Sequence, residues 1–149
     1  ALLNDEASRI VAGIAMTFEE LLARDKPALP LKKAAGKALL HGHCHQKAFD
    51  AVRPIEEVLG WIDGLDVTPI ESSCCGMAGA FGYGAESYDI SMQMANENLL
   101  PAIRKADADD LLIADGTSCR CQIKDGTNRT AKHVALVLDS YLEDTKPAN

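Results

Sequence analysis

The chain has 149 residues, 47% of them apolar, 25% charged and 5% aromatic, with a formal net charge of -7. That length fits one domain whose core is built from Leu, Ile, Val, Ala and Met more than from rings. The acidic balance and scattered Lys and Arg speak against nucleic-acid binding, and no apolar run approaches the roughly 18 residues that span a bilayer.

The opening, Ala-Leu-Leu-Asn-Asp-Glu, has neither a basic leader region nor an initiator Met, so the chain is expected to be a piece of a longer one. From Asp5 to Arg24 the apolar residues Ile10, Ile14, Phe18, Leu21 and Leu22 recur at helical spacing, predicting one helix with Asn4 as its N-cap. Pro27 and Pro30 end it, so residues 1–35 form an N-terminal helix and connector. Residues 36–142 form the core that bears the cysteines. Lys37 to His41 reads as a buried strand, Gln46 to Arg53 as a helix, and Pro54 opens a second helix carrying Ile55, Val58, Leu59 and Ile62. Gly64 ends that segment, and Asp66 to Glu71 reads as a strand despite Pro69. A glycine-rich turn from Gly76 to Gly84 leads into a helix with Tyr88, Met92, Ala95 and Leu99 on one face, kinked or restarted at Pro101. Leu111 to Ala114 is a buried strand. After a polar loop, Val134, Val137, Leu138, Tyr141 and Leu142 form the apolar stripe of a last helix. Strands alternating with helices imply right-handed crossovers. The expected fold is a small three-layer α/β domain, with a mainly parallel sheet of three or four strands preceded by an N-terminal helix.

Five cysteines cannot all pair within one chain, and they are grouped at Cys44, at Cys74 and Cys75, and at Cys119 and Cys121. Each group lies just beyond the C-terminal end of a predicted strand, and in a parallel sheet those ends share one edge. The thiols are therefore expected to converge. Clustered thiolates select zinc or iron–sulfur centres. The paired Cys-x2-4-Cys hooks of structural zinc are absent, and adjacent side chains such as Cys74 and Cys75 suit several metal vertices better than one ion. Zinc, a strained disulfide and inert buried cysteines remain the alternatives. His43 and His45 flank Cys44 as ligands or as supporting donors, His41 is expected to be packed, and Lys47 and Arg120 can offset thiolate charge. Gly76 and Gly79 allow close backbone approach, letting amide N–H groups point at cluster sulfurs.

Three runs carry a family resemblance: His41-Gly42-His43-Cys44-His45-Gln46-Lys47-Ala48, Ser73-Cys74-Cys75-Gly76-Met77-Ala78-Gly79 and Gly116-Thr117-Ser118-Cys119-Arg120. Together they resemble the cysteine-rich CCG domain found in heterodisulfide reductase, in the iron–sulfur subunits of glycolate oxidase and anaerobic glycerol-3-phosphate dehydrogenase, and in the C-terminal part of FAD-linked oxidases. The last group looks most similar. The resemblance implies a four-iron cluster, or zinc in some members, held by Cys44, Cys74, Cys75 and Cys119. The family pattern closes with Cys-x-x-Cys, whereas this chain has Cys119-Arg120-Cys121 with Gln122 at the fourth place. Cys121 is thus the least regular candidate. By the same resemblance, the chain is an electron-transfer module of a D-lactate- or glycolate-type dehydrogenase. Its expected neighbours are a flavin domain or subunit holding FAD and a ferredoxin-like iron–sulfur domain. Its expected location is cytoplasmic, with peripheral membrane association through those partners. A zinc-binding or metal-free docking scaffold, and a thiol–disulfide module using Cys74 and Cys75, are the other readings.

Overall fold

A computed structural model describes residues 5–143. Three strands, β1 (Gly36–His41), β2 (Leu65–Pro69) and β3 (Leu111–Ala114), form a wholly parallel sheet in the order β2-β1-β3. Leu40 pairs with Pro69 on one side of β1 and with Ile113 on the other. Pro69 is tolerated because β2 is an edge strand and Pro69 closes it, so little ladder is lost. The fourth strand is reduced to a single bridge on the outer edge of β3. There the Lys132 amide donates to Leu112 O at 2.8 Å and the Ala114 amide donates to Lys132 O at 2.9 Å.

Alternation along the strands builds two cores. Ala38, Leu40 and Ile113 face one layer, with Ile55, Val58 and Leu59 of α4 (Arg53–Leu59) and Val134, Val137 and Leu138 of α8 (Val134–Tyr141). Leu39, Leu112 and Ala114 face the other, with Ala95 of α5 (Tyr88–Glu97), Leu99, Leu100 and Ile103 of α6 (Leu99–Lys105) and Ile123 of α7 (Thr117–Thr127). A period of two with both faces buried is the signature of a covered parallel sheet. The α/β three-layer expectation holds.

Several boundaries differ from the sequence expectation, each for a local reason. The single N-terminal helix is two: α1 (Glu6–Ile14) and α2 (Phe18–Asp25). Thr17 begins the second with a capping box: its hydroxyl accepts from the Glu20 amide at 3.3 Å, and Glu20 Oε2 accepts from the Thr17 amide at 2.6 Å. Asp5 caps α1; Asn4 lies outside the described residues. Replacing Thr17 with Ala is expected to lower stability by about 1 kcal/mol, read as a shift of the urea midpoint at unchanged slope. The expected helix from Gln46 to Arg53 stops early as α3 (Cys44–Ala48), because Asp50 turns left-handed at φ 57°. The break near Pro101 falls at Asn98 instead, leaving Pro101 in the first turn of α6, where a missing N–H costs nothing. The largest difference is α7, which occupies the expected polar loop after β3.

No helix among the described residues is long and apolar enough to cross a membrane. Helix α1 buries none of its residues, and Ile10, Val11 and Ile14 are all more than half exposed.

Candidate metal centre

The three strands end at His41, Pro69 and Ala114, and the segments that leave them carry Cys44, Cys74 with Cys75, and Cys119. The β1-to-β2 connection packs α4 on one face of the sheet, while the β2-to-β3 connection packs α5 and α6 on the other. The chain therefore reverses direction between β1 and β3, which opens a crevice at their C-terminal ends. Cys44 and Cys119 stand on either side of it. Cys44 opens α3, and Cys119 lies in the first turn of α7.

Four thiols meet there. Cys74 pairs with Cys44 and feels the charge of Cys75, while Cys75 and Cys119 share a hydrogen bond. Lys47, the one ammonium among them, feels all four sulfurs. Burial lowers its pKa, and the charges of Cys119, Cys44, Cys74 and Cys75 oppose that fall. Exposure grades across the set: Cys119 is 1% and Cys75 5% exposed, Cys74 is half-buried and Cys44 exposed. The two innermost thiols titrate as a pair. The hydrogen bond from Cys119 favours a thiolate at Cys75, helped by His41, while Cys119, bonded to that thiolate and buried, keeps its proton. Burial raises the Cys74 thiol, although the Gly76 amide donates to its Sγ at 3.3 Å.

That N–H···S contact depends on glycine. Gly76 has φ 86°, and a Cβ built there would stand 2.2 Å from the Ser91 carbonyl oxygen of α5. Gly79 also has positive φ, but a Cβ there would meet nothing within 4 Å, so its need is conformational and no close approach is involved. Gly116 carries no such signal in the sequence. A Cβ at that position would lie 2.6 Å from His43 Cδ2 and 2.9 Å from Cys119 Sγ, so its bareness lets these two groups pack together.

His41 is packed, as expected, but it also carries polar contacts that the sequence does not signal. It is 1% exposed and its Nδ1 lies 2.8 Å from Ser72 Oγ. Lys47 donates to the Ser72 carbonyl and approaches Ser72 Oγ at 3.4 Å. With Oγ accepting from Lys47, the serine proton goes to Nδ1, and the imidazole proton is left on Nε2. That atom is buried with no hydrogen-bond partner, and the ring acts on Cys75. An unsatisfied donor inside a core is costly. Here it faces the sulfur set.

Other expected residues take lesser places. His43 caps α3, its Nδ1 accepting from the His45 amide at 3.2 Å, and its ring lies near Gly116 and Cys119. His45 is exposed and packs on Phe49, with ring centroids 5.2 Å apart. Arg120 donates to Ala114 O at 3.0 Å and to Asp115 O at 2.5 Å, closing the end of β3 with no thiol contact of its own among these bonds. Cys121 stands apart, beside Tyr83 and Asp125. The reason is α7: residues two apart on a helix point about 200° away from each other, so Cys119 and Cys121 cannot share a face. Gln122, three residues on from Cys119, does face inward, is 2% exposed and donates to Ser91 Oγ at 3.0 Å.

Comparison with known proteins gives the site its context. The chain is 34% identical over 114 residues to a subunit of the anaerobic glycerol-3-phosphate dehydrogenase of Escherichia coli K12, and 29% identical over 126 residues to D-2-hydroxyglutarate dehydrogenase of Pseudomonas putida KT2440. The matches cover 76% and 83% of this chain but only 28% and 12% of those relatives. No protein-family model and no solved structure matches it. Its relatives are therefore dehydrogenases and dehydrogenase subunits, of which it spans a minor part.

Proposed function

We propose that this chain is the iron–sulfur electron-transfer part of a larger flavin-linked dehydrogenase, with Cys44, Cys74, Cys75 and Cys119 as the ligands. The observation that carries the reading is the convergence of four thiols from three separate strand ends around one lysine. Among the described residues no three sulfurs lie within 4.8 Å of one another. The adjacent side chains of Cys74 and Cys75 suit the several metal vertices of a multi-iron group better than a single ion. The donor set fits it too: soft thiolates, an N–H from Gly76, and a buried imidazole N–H that has no other partner. Cys121 is left out of the ligand set on the geometry of α7.

When bound, such a cluster accepts and releases single electrons. The residues of this chain hold it at the sheet edge, exclude water on the Cys75 and Cys119 side, and offset thiolate charge with Lys47. The exposed Cys44 side is the side open to a partner. The flavin, the substrate oxidation and a ferredoxin-like relay belong to the rest of the parent assembly. Glycerol 3-phosphate and D-2-hydroxyglutarate, the compounds named in the relatives, both carry a secondary hydroxyl, and a 2-hydroxy acid is the substrate class we assign to the parent. The uncovered apolar face of α1 supports contact with such neighbours.

The test is anaerobic preparation with iron, sulfide and zinc analysis and low-temperature EPR of the reduced protein. Iron and acid-labile sulfide in equal amounts, with a reducible signal, are expected. One tightly held zinc and no sulfide after reconstitution with iron and sulfide would sink the assignment. Within the loaded protein, His41→Leu is expected to lower the reduction potential at unchanged iron content, because one N–H donor to sulfur is lost. An unchanged midpoint in a redox titration would remove His41 from that role.

A further inference from the structure

A second group of ligand-type side chains lies on the same sheet edge and takes no part in the thiol centre. Glu19 of α2, Asp115 just after β3, and His133 at the N-cap of α8 each offer one donor atom, and the three atoms lie within 4.8 Å of one another. Among the described residues, no other three ligand-type side chains are drawn together so closely. Glu19 is 2% exposed, and its Oε1 is buried with no hydrogen-bond partner. The Asp115 side chain is 8% exposed; its Oδ1 accepts from the Val134 amide at 2.9 Å and its Oδ2 from Gln46 Nε2 at 3.1 Å. His133 Nδ1 accepts from the Ala135 amide at 3.1 Å and lies 3.6 Å from Asp115 Oδ1.

Two carboxyl groups this close and this deeply buried require a proton or a cation between them. Burial raises the pKa of Glu19, the neighbouring Asp115 charge adds to the rise, and His133 opposes it. A lone proton satisfies one carboxylate oxygen and draws in no third group. An ion draws on all three side chains, with His133 giving up its bond from the Ala135 amide where it binds through Nδ1. Ligands on one first-row ion stand about 3 Å apart, within reach of small side-chain rotations from the present spacing.

We propose that Glu19, Asp115 and His133 form a binding site for a first-row divalent cation, separate from the thiol centre, that fastens the N-terminal helix α2 to the C-terminal edge of the sheet. Carboxylate and imidazole donors suit Mn2+, Fe2+ or Zn2+, whereas the thiol set suits softer chemistry. The clamp joins α2, the end of β3 and the start of α8, which the chain otherwise connects through apolar contacts such as Leu22 and Ala23 against the core. Through Gln46, which also accepts from the His43 amide at 3.0 Å, Asp115 links this site to the helix that bears Cys44.

Mn2+ is the probe of choice because it is hard, poorly held by thiols and visible by EPR. The chain is titrated with Mn2+ in three forms: wild type, Glu19→Gln, and Asp25→Asn as an exposed-carboxylate control. Loss of the free-ion signal should show one site in the wild type and the control, weakened at least about tenfold in Glu19→Gln. Mn2+ should also raise the melting temperature of the wild type but not that of Glu19→Gln. Equal Mn2+ binding by all three forms would overturn the site. So would a melting temperature indifferent to Mn2+ in the wild type, with Glu19→Gln at least as stable in chelator; that result assigns the pocket to a shared proton. Because the probe avoids the thiols, either outcome is independent of whether iron is bound at Cys44, Cys74, Cys75 and Cys119.

Discussion

Replacing Cys119 with Ser is expected to abolish cluster incorporation, taking iron after anaerobic reconstitution from about four per chain to below about one, whereas Cys121→Ser is expected to leave it unchanged. Both substitutions remove one sulfur from the same turn of α7 and change the sequence equally little. They differ in direction: Cys119 points to Cys75 and the crevice, Cys121 toward Tyr83. Burying a serine hydroxyl at a position 1% exposed carries its own cost of about 1–3 kcal/mol, so folding must be followed separately by circular dichroism and melting of the metal-free chain. A folded Cys119→Ser protein with full iron would remove Cys119 from the ligand set. Iron lost equally in both variants would mean that α7 rearranges on loading.

The second large effect concerns stability. Gly76→Ala is expected to cost about 3 kcal/mol in urea unfolding of the metal-free chain, near the upper end for a single substitution. Two penalties coincide. The backbone at φ 86° is one that side chains rarely adopt, and the new methyl would stand 2.2 Å from a backbone oxygen of Ser91 and 3.3 Å from Gln122 Nε2. Neither the Ser91 carbonyl nor the buried Gln122 can simply swing aside, since α5 and α7 are bonded to each other through that pair. Gly79→Ala has the positive φ but open space, so its cost should be smaller, about 1 kcal/mol. Equal costs at the two glycines would mean that the close approach to α5 contributes nothing.

The parallel sheet and the sulfur edge were legible because they rest on patterns that repeat. Short apolar runs separated by helical stretches leave few topologies open, and cysteines placed after each run follow the sheet wherever it goes. What escaped was information carried by single polar side chains. The Thr17–Glu20 capping box was present in the sequence, but the apolar spacing ran through it and masked the break. Helix α7 escaped because its stretch, Thr-Ser-Cys-Arg-Cys-Gln-Ile-Lys-Asp-Gly-Thr, has few apolar residues and a glycine near its end; packing of Cys119, Gln122 and Ile123 holds it in place of propensity. Reading that stretch as a loop hid the divergence of Cys119 and Cys121. His41, Glu19 and Asp115 owe their interest to burial and to neighbours distant in the chain, which no local pattern reveals.

The gradient of exposure across the four thiols implies an order of events. Cys74 and Cys75 are held by the turn at Gly76 and Cys119 by α7, so three of the four sulfurs sit on anchored backbone. Cys44 opens a helix of only five residues, tethered by Gln46 to Asp115 and by Lys47 to Ser72. As the one thiol of the four that is exposed, Cys44 is the sulfur expected to join a cluster last and to meet solvent first.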